Sequence, residues 1–148
     1  MRNILPPILF LIFVIVMGGL CWTMGSPHNL LYPYTMIGLP LVFSGILLAM
    51  VGKKLFKKLG TNIMTFEKPD VLVTEGLYRY SRNPMYLGFV VALLGFSLLM
   101  GAAISSFFLV GLFFVITDRW YITFEEQVLK HKFGMEYDKY CHKVRRWI

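Results

Sequence analysis

Residues 85–116 read MYLGFVVALLGFSLLM-GAA-ISSFFLVGLFFVI, with no Asp, Glu, Lys or Arg anywhere in the stretch. Two apolar runs, 85–100 and 104–116, are separated only by Gly101-Ala102-Ala103, a tight and uncharged turn. That pattern predicts a hairpin of two membrane helices. The second run is short of the roughly 20 residues that cross a bilayer. After it, however, no Pro or Gly appears until Gly134. The helix is therefore expected to continue out of the membrane for several turns, carrying Asp118, Arg119, Glu125 and Glu126. Lys130, His131 and Lys132 suit the negative end of its dipole, and Gly134 is a natural residue to end it.

Toward the N-terminus, residues 4–24 are uncharged, with Pro6 and Pro7 where a helix tolerates missing amide donors. The block approaches spanning length and no small-residue cleavage site follows, so a retained helix is expected rather than a removable signal. Residues 25–31 have turn chemistry. A second block, 34–52, contains Pro40, which should kink the helix or shift its start. It ends at Lys53-Lys54-Leu55-Phe56-Lys57-Lys58, most simply a stop-transfer anchor that also attracts anionic headgroups.

The expected fold is thus an all-α integral membrane protein of one domain, residues 1–148. Its helices are placed at about 4–24, 34–52, 84–101 and 103–132, with a cytoplasmic loop at 53–83 and a helical C-terminal tail at 133–148. Composition agrees: 57% of residues are hydrophobic and 16% charged, against about 45–50% and 25% in soluble domains. The net charge of +7 lies beside the apolar blocks, as the positive-inside rule requires for short cytoplasmic loops. Both termini are expected in the cytoplasm, in a multi-pass membrane protein. That distribution argues against nucleic acid as a partner. Cys21, Cys141 and the histidines 28, 131 and 142 are scattered, suggesting neither a disulfide nor a metal site.

Chemistry concentrates in two places. The stretch from Thr74 to Gly88 enters the third helix, with Asn83 a candidate N-cap and Pro84 at the first helical position. Free amides at that helix end, with Arg82 beside them, favour an anion. Tyr78, Tyr80 and Tyr86 bring amphipathic rings to the same interface. A plain aromatic belt with a snorkelling arginine is the competing reading. The second cluster is Asp118, Arg119, Glu125 and Glu126. At about 100° per residue, Asp118, Tyr121 and Glu125 share one face and Arg119, Ile122 and Glu126 the next. A solvated face with Glu126 paired to Lys130 is the alternative there. No strand precedes a Gly-x-Gly-x-x-Gly turn, which removes a Rossmann nucleotide site.

Thr74-x-Gly76-x-Tyr78-Arg79-x-x-Arg82-Asn83-Pro84-Met85-Tyr86-Leu87-Gly88 resembles the signature of the integral membrane methyltransferases. These are the isoprenylcysteine carboxyl methyltransferases and the phospholipid N-methyltransferases. Asn83 stands where the pattern commonly has His. Glu125-Glu126, Phe133-Gly134, Tyr137, Tyr140 and Val144-Arg145-Arg146 match the family's downstream segment, so the resemblance covers roughly residues 60–148. It implies S-adenosylmethionine as donor and S-adenosylhomocysteine as product, held on the cytoplasmic side. The cofactor-binding residues it implies are Tyr78, Arg82, Asn83, Pro84, Tyr86, Leu87, Gly88, Glu125, Glu126 and Tyr137. Glu125 and Arg119 are the catalytic candidates, the first as a base toward an amine, the second orienting a carboxylate. The implied acceptor is lipidic, or a small hydrophobic molecule, reached from the bilayer. A phospholipid or amine N-methyltransferase and a non-catalytic protein with four spans remain as alternatives.

Overall fold

The structure is a computed structural model that describes residues 5–23, 29–58 and 71–148. Every regular element among them is helical: α1 (Pro6–Thr23), α2 (Gly38–Lys58), α3 (Pro84–Leu99), α4 (Ile104–Ile116), α5 (Thr123–Phe133) and α6 (Met135–Lys143). One-turn 3-10 segments at Tyr34–Ile37 and Gly76–Arg79 precede α2 and α3. A π-helical segment, Thr117–Ile122, joins α4 to α5, so Ile104–Phe133 runs as one helix of 30 residues. The expected continuation beyond 116 is present.

Pro40 shifts a start rather than kinking a helix: the 3-10 turn comes first and α2 begins two residues before it. Past the predicted end at 52, α2 continues to Lys58, so the lysines extend the helix. Of the rest of the predicted loop, 59–83, residues 59–70 lie outside the described residues, and 71–83 lead into α3 through the 3-10 turn.

Among the described residues, three helical stretches are long and apolar enough to cross a membrane, Pro6–Thr23, Tyr34–Phe56 and Ile104–Phe133. The fourth expected span, α3, has 16 residues, about 24 Å at 1.5 Å per residue against a hydrocarbon core of about 30 Å. It is the central helix. None of its residues is exposed, because α2 packs along one side and α1 and α4 along the other. A helix shielded by protein need not match the lipid, and can be apolar all round. On its α1 and α4 side, Phe10 stacks on Phe89 at 5.1 Å between centroids and Phe13 meets Phe113 edge-on at 5.3 Å, over fully buried Met17, Ala92 and Leu93.

The α2–α3 seam has a different chemistry. A Cβ on Gly45 would lie 2.5 Å from both the Gly88 carbonyl oxygen and the Ala92 nitrogen, and one on Gly38 2.3 Å from the Gly95 carbonyl oxygen. Backbones that close require glycine, the usual device where lipid offers no hydrophobic drive to associate. Gly38, Gly45 and Gly52 recur every seven residues, as do Gly88 and Gly95, the period of a left-handed helix pair.

The α3–α4 turn is as tight as expected. Gly101 and Ala102 both take positive φ, 85° and 55°, and Ser97 and Ser106 hydroxyls hydrogen-bond across its base at 2.9 Å. Asn29 Nδ2 donates to the Ala102 carbonyl at 3.0 Å.

Candidate functional site

At the other end of the hairpin, the segment before α3, the α5 surface and α6 converge. Gly76, with φ 59°, turns the chain against Leu55 and the 3-10 turn that follows buries Tyr78. The Tyr78 ring meets Phe56 edge-on at 5.1 Å, and its carbonyl accepts the Tyr140 hydroxyl at 2.7 Å. α5 and α6 meet at Gly134, whose φ of 50° lets the chain reverse. Tyr137, Tyr140 and Val144 pack there against Leu72, Leu129 and Phe133.

A cleft of about 430 Å³, counted out to its open mouth, lies between these elements. Its polar wall consists of Tyr78, Arg82, Asn83, Glu125, Glu126, Tyr137 and Tyr140, and its apolar wall of Phe56, Val71, Leu72, Val73 and Leu129. Six residues expected from the sequence therefore share one cleft.

Charge runs through it in alternation. Arg82 Nη2 donates to Glu126 Oε1 at 2.8 Å. Arg146 donates to the same carboxylate, through Nε to Oε1 at 3.3 Å and through Nη2 to Oε2. Arg146 Nη1 also reaches Asp118 Oδ1 at 3.2 Å. Arg82 Nη1 donates to the Cys141 and Val144 carbonyls, each at 3.3 Å. Its Nε is buried in the cleft wall with no hydrogen-bond partner among the described residues. Tyr86 donates its hydroxyl to Glu125 Oε1 at 2.7 Å. The expected facing of two opposite patches is realised.

These charges act on their neighbours. Burial pushes the Tyr78 phenol up, with the Glu125 carboxylate adding to it. Burial first, then Glu126, does the same to Tyr137, and burial raises Tyr140 against the opposing pull of Arg82. All three are neutral hydrogen-bonding groups at physiological pH. The hydrogen bond to Glu126 raises the Arg146 guanidinium further still.

Several expectations are corrected. Asn83 stands at the N-cap position of α3 but makes no cap bond; its Nδ2 donates to the Arg146 carbonyl at 3.1 Å. The C-terminal tail thus takes the place of the expected free anion site at the α3 start, the Arg82 amide also donating to the Arg145 carbonyl at 3.0 Å. Gly88 serves the α2 seam and, like Pro84 and Leu87, does not line the cleft. Tyr86 also stands outside the lining, behind Glu125. Arg119 is 81% exposed, 3.7 Å from Asp118, and outside the cleft. Lys130 pairs with Asp138 at 3.1 Å rather than with Glu126. The predicted face-sharing fails because an i→i+5 turn takes up an extra residue. Asp118 is thereby carried onto the same arginine as Glu126. The Thr117 hydroxyl donates to the Phe113 and Phe114 carbonyls just before that turn, and Thr123 Oγ1 to the Asp118 carbonyl inside it, five residues back.

Two participants escaped the sequence reading. Arg146 was seen as part of a basic ending, and Trp147 not at all. Trp147 Nε1 donates to Asp118 Oδ1 at 2.9 Å and its ring stacks on Phe114 at 4.7 Å. A tryptophan directly after two arginines was the available signal.

Comparison with known proteins covers the same region. Residues 34–136 match the family described as phospholipid methyltransferase. The chain is similar to the protein-S-isoprenylcysteine O-methyltransferase of Schizosaccharomyces pombe, 40% identical over 78 residues, 52% of this chain and 32% of that protein. It is 35% identical to the protein-S-isoprenylcysteine O-methyltransferase B of Arabidopsis thaliana over 79 residues, 53% of this chain and 39% of the relative. A Haemophilus influenzae protein of uncharacterized function is 36% identical over its whole length, 43% of this chain. The matches thus span between about a third and two fifths of the named relatives. No solved structure is significantly similar.

Proposed function

The chain belongs to the phospholipid methyltransferase family, and on that premise we propose that it transfers a methyl group from S-adenosylmethionine to a lipidic or small hydrophobic acceptor at the cytoplasmic membrane face. The acceptor group we propose is a carboxyl, because the named relatives are isoprenylcysteine O-methyltransferases. The observation that carries the reading is the convergence of the two family segments on one cleft of alternating charge.

The donor set fits the cofactor. Its amino-acid end carries a carboxylate, and the Arg82 guanidinium, whose buried Nε has no hydrogen-bond partner among the described residues, belongs to the cleft lining. Its ammonium and sulfonium want carboxylates, and Glu125 and Glu126 line the same cleft. Its adenine wants aromatic and apolar surface, offered by Phe56, Tyr78, Tyr137 and Leu129. When bound, it supplies an electrophilic methyl on sulfur.

What the chain contributes is alignment, worth about 7–11 kcal/mol where reacting groups are well oriented. Tyr86 fixes Glu125 and Arg146 fixes Glu126. The phenols, held neutral, add donors without adding negative charge. Phe56, Val73 and Leu129 exclude water from the apolar wall. A carboxylate acceptor needs no base, and Arg119, exposed outside the cleft, is the residue we propose to orient one. For an amine acceptor, Glu125 is the group to take its proton; the family's description favours that second reading.

The test is to supply radiolabelled donor to membranes containing the chain. A carboxyl methyl ester releases its label in base, a methylated amine retains it, and a chain that neither labels lipid nor binds S-adenosylhomocysteine in detergent refutes the reading.

A further inference from the structure

The last residues of the chain are bound almost entirely to the proposed site. The Arg145 and Arg146 carbonyls accept from Arg82 and Asn83, and the Cys141 and Val144 carbonyls from the Arg82 guanidinium. Residues 144–147 therefore form a strap across the cleft's polar wall. One anchor of that strap lies elsewhere, on the membrane helix. Asp118 Oδ1, in the π turn, accepts both Trp147 Nε1 at 2.9 Å and Arg146 Nη1 at 3.2 Å. Trp147 then lays its ring on Phe114 of α4.

We propose that Asp118 is a positioning residue for the donor cleft, acting through Arg146 and Trp147 as the latch that holds the strap in place. Three features support this role. The Asp118 side chain is 18% exposed, although it lies beside Arg119, which is 81% exposed, so the helix has turned it inward at the cost of desolvation. Asp118 lies in the π turn, and such turns recur where function requires a departure from the α register. And the carboxylate binds Arg146, one of the two arginines that bond Glu126, so the chain Asp118–Arg146–Glu126–Arg82 transmits its presence to the partnerless Arg82 Nε. Two carboxylates and two guanidiniums alternate, and removing the terminal carboxylate frees Arg146 to swing from Glu126.

The inference rests on the donor-site reading, and its test separates the two. Full-length chain in detergent is compared as wild type, Asp118→Asn, Trp147→Phe and the surface control Lys139→Ala. Hydrogen exchange is followed in the peptide containing residues 144–148, and S-adenosylhomocysteine binding by calorimetry. Trp147→Phe removes the N–H while keeping an aromatic ring to stack on Phe114, so it tests the hydrogen bond even if Asp118→Asn does not fold. Both variants are expected to speed exchange in the strap and to weaken S-adenosylhomocysteine about tenfold, the loss of about one charge-assisted hydrogen bond, while the control does neither. Unchanged strap exchange in both variants overturns the latch. Faster exchange with unchanged affinity overturns the positioning role. If the wild type itself fails to bind, the donor site falls and the positioning role with it, while strap exchange still reports whether Asp118 holds the tail.

Discussion

Replacing Glu126 by Gln perturbs the site with the smallest change of shape. The carboxylate accepts from Arg82 at 2.8 Å and from Arg146 twice. Glutamine keeps one acceptor oxygen but loses the charge, and its amide group presents hydrogens to donors on one side. Hydrogen bonds to charged groups are worth about 1.5–3 kcal/mol each, and removing one partner of a fully buried ion pair costs about 3–5 kcal/mol. Here the side chains keep some exposure, 14% for Arg82, 17% for Glu126 and 32% for Arg146, so water repairs part of the loss. The expected destabilisation is about 2–4 kcal/mol. Glu125→Gln retains the oxygen that accepts from Tyr86 and should cost only about 1 kcal/mol. Unfolding by SDS titration in mixed micelles, followed by tryptophan fluorescence, measures both. A Glu126→Gln variant within about 0.5 kcal/mol of wild type, the range of ordinary surface changes, refutes the network as described, as does a reversed order of the two.

Other perturbations address the seam, the phenols and the exposed arginine. Gly45→Leu, forced against the Gly88 carbonyl, should cost at least the about 1–3 kcal/mol of overpacking and lower the yield of folded protein from membranes. Gly111→Ala, with nothing near its Cβ, should be tolerated in the same measurement. Tyr78, Tyr137 and Tyr140 have their phenols raised above the ordinary value of 10 by burial. The fold therefore retains protons that the unfolded chain releases; the stabilisation is complete below about pH 10 and is lost as pH rises further. Ultraviolet titration should show these three ionising only with alkaline unfolding. Arg119→Ala should leave S-adenosylhomocysteine affinity unchanged, since Arg119 lies outside the cleft, and alter only the response to acceptor concentration.

Local signals in the sequence were legible. Pro84 begins α3, Gly134 ends α5 and Gly101 turns the hairpin, each because backbone geometry at that position favours that residue. The apolar blocks marked the membrane helices, although block length alone did not reveal that the 16-residue α3 is central and shielded. The glycines of the seam carried a visible seven-residue period whose meaning depends on which helices pair. Asn83 had the composition of a cap, yet its partner is a carbonyl 63 residues away, beyond the reach of local rules. The π turn displaced the helix faces that a uniform 100° step predicts, and so hid the link from Asp118 to Arg146. Tyr78, Arg82, Glu125 and Glu126 were found because two short motifs named them and an antiparallel hairpin brought them together.

The central claim is that the cleft between the segment before α3, α5 and α6 holds the methyl donor, with Arg82 on its wall. Calorimetric titration of S-adenosylhomocysteine into the detergent-solubilised chain tests it directly, comparing wild type with Arg82→Lys, which keeps the charge and loses the guanidinium fork. The account predicts binding to the wild type and an affinity at least about tenfold weaker in the variant, as for loss of a directed hydrogen bond to a charged group. Equal affinity in the two, or no binding to a folded wild type, contradicts it.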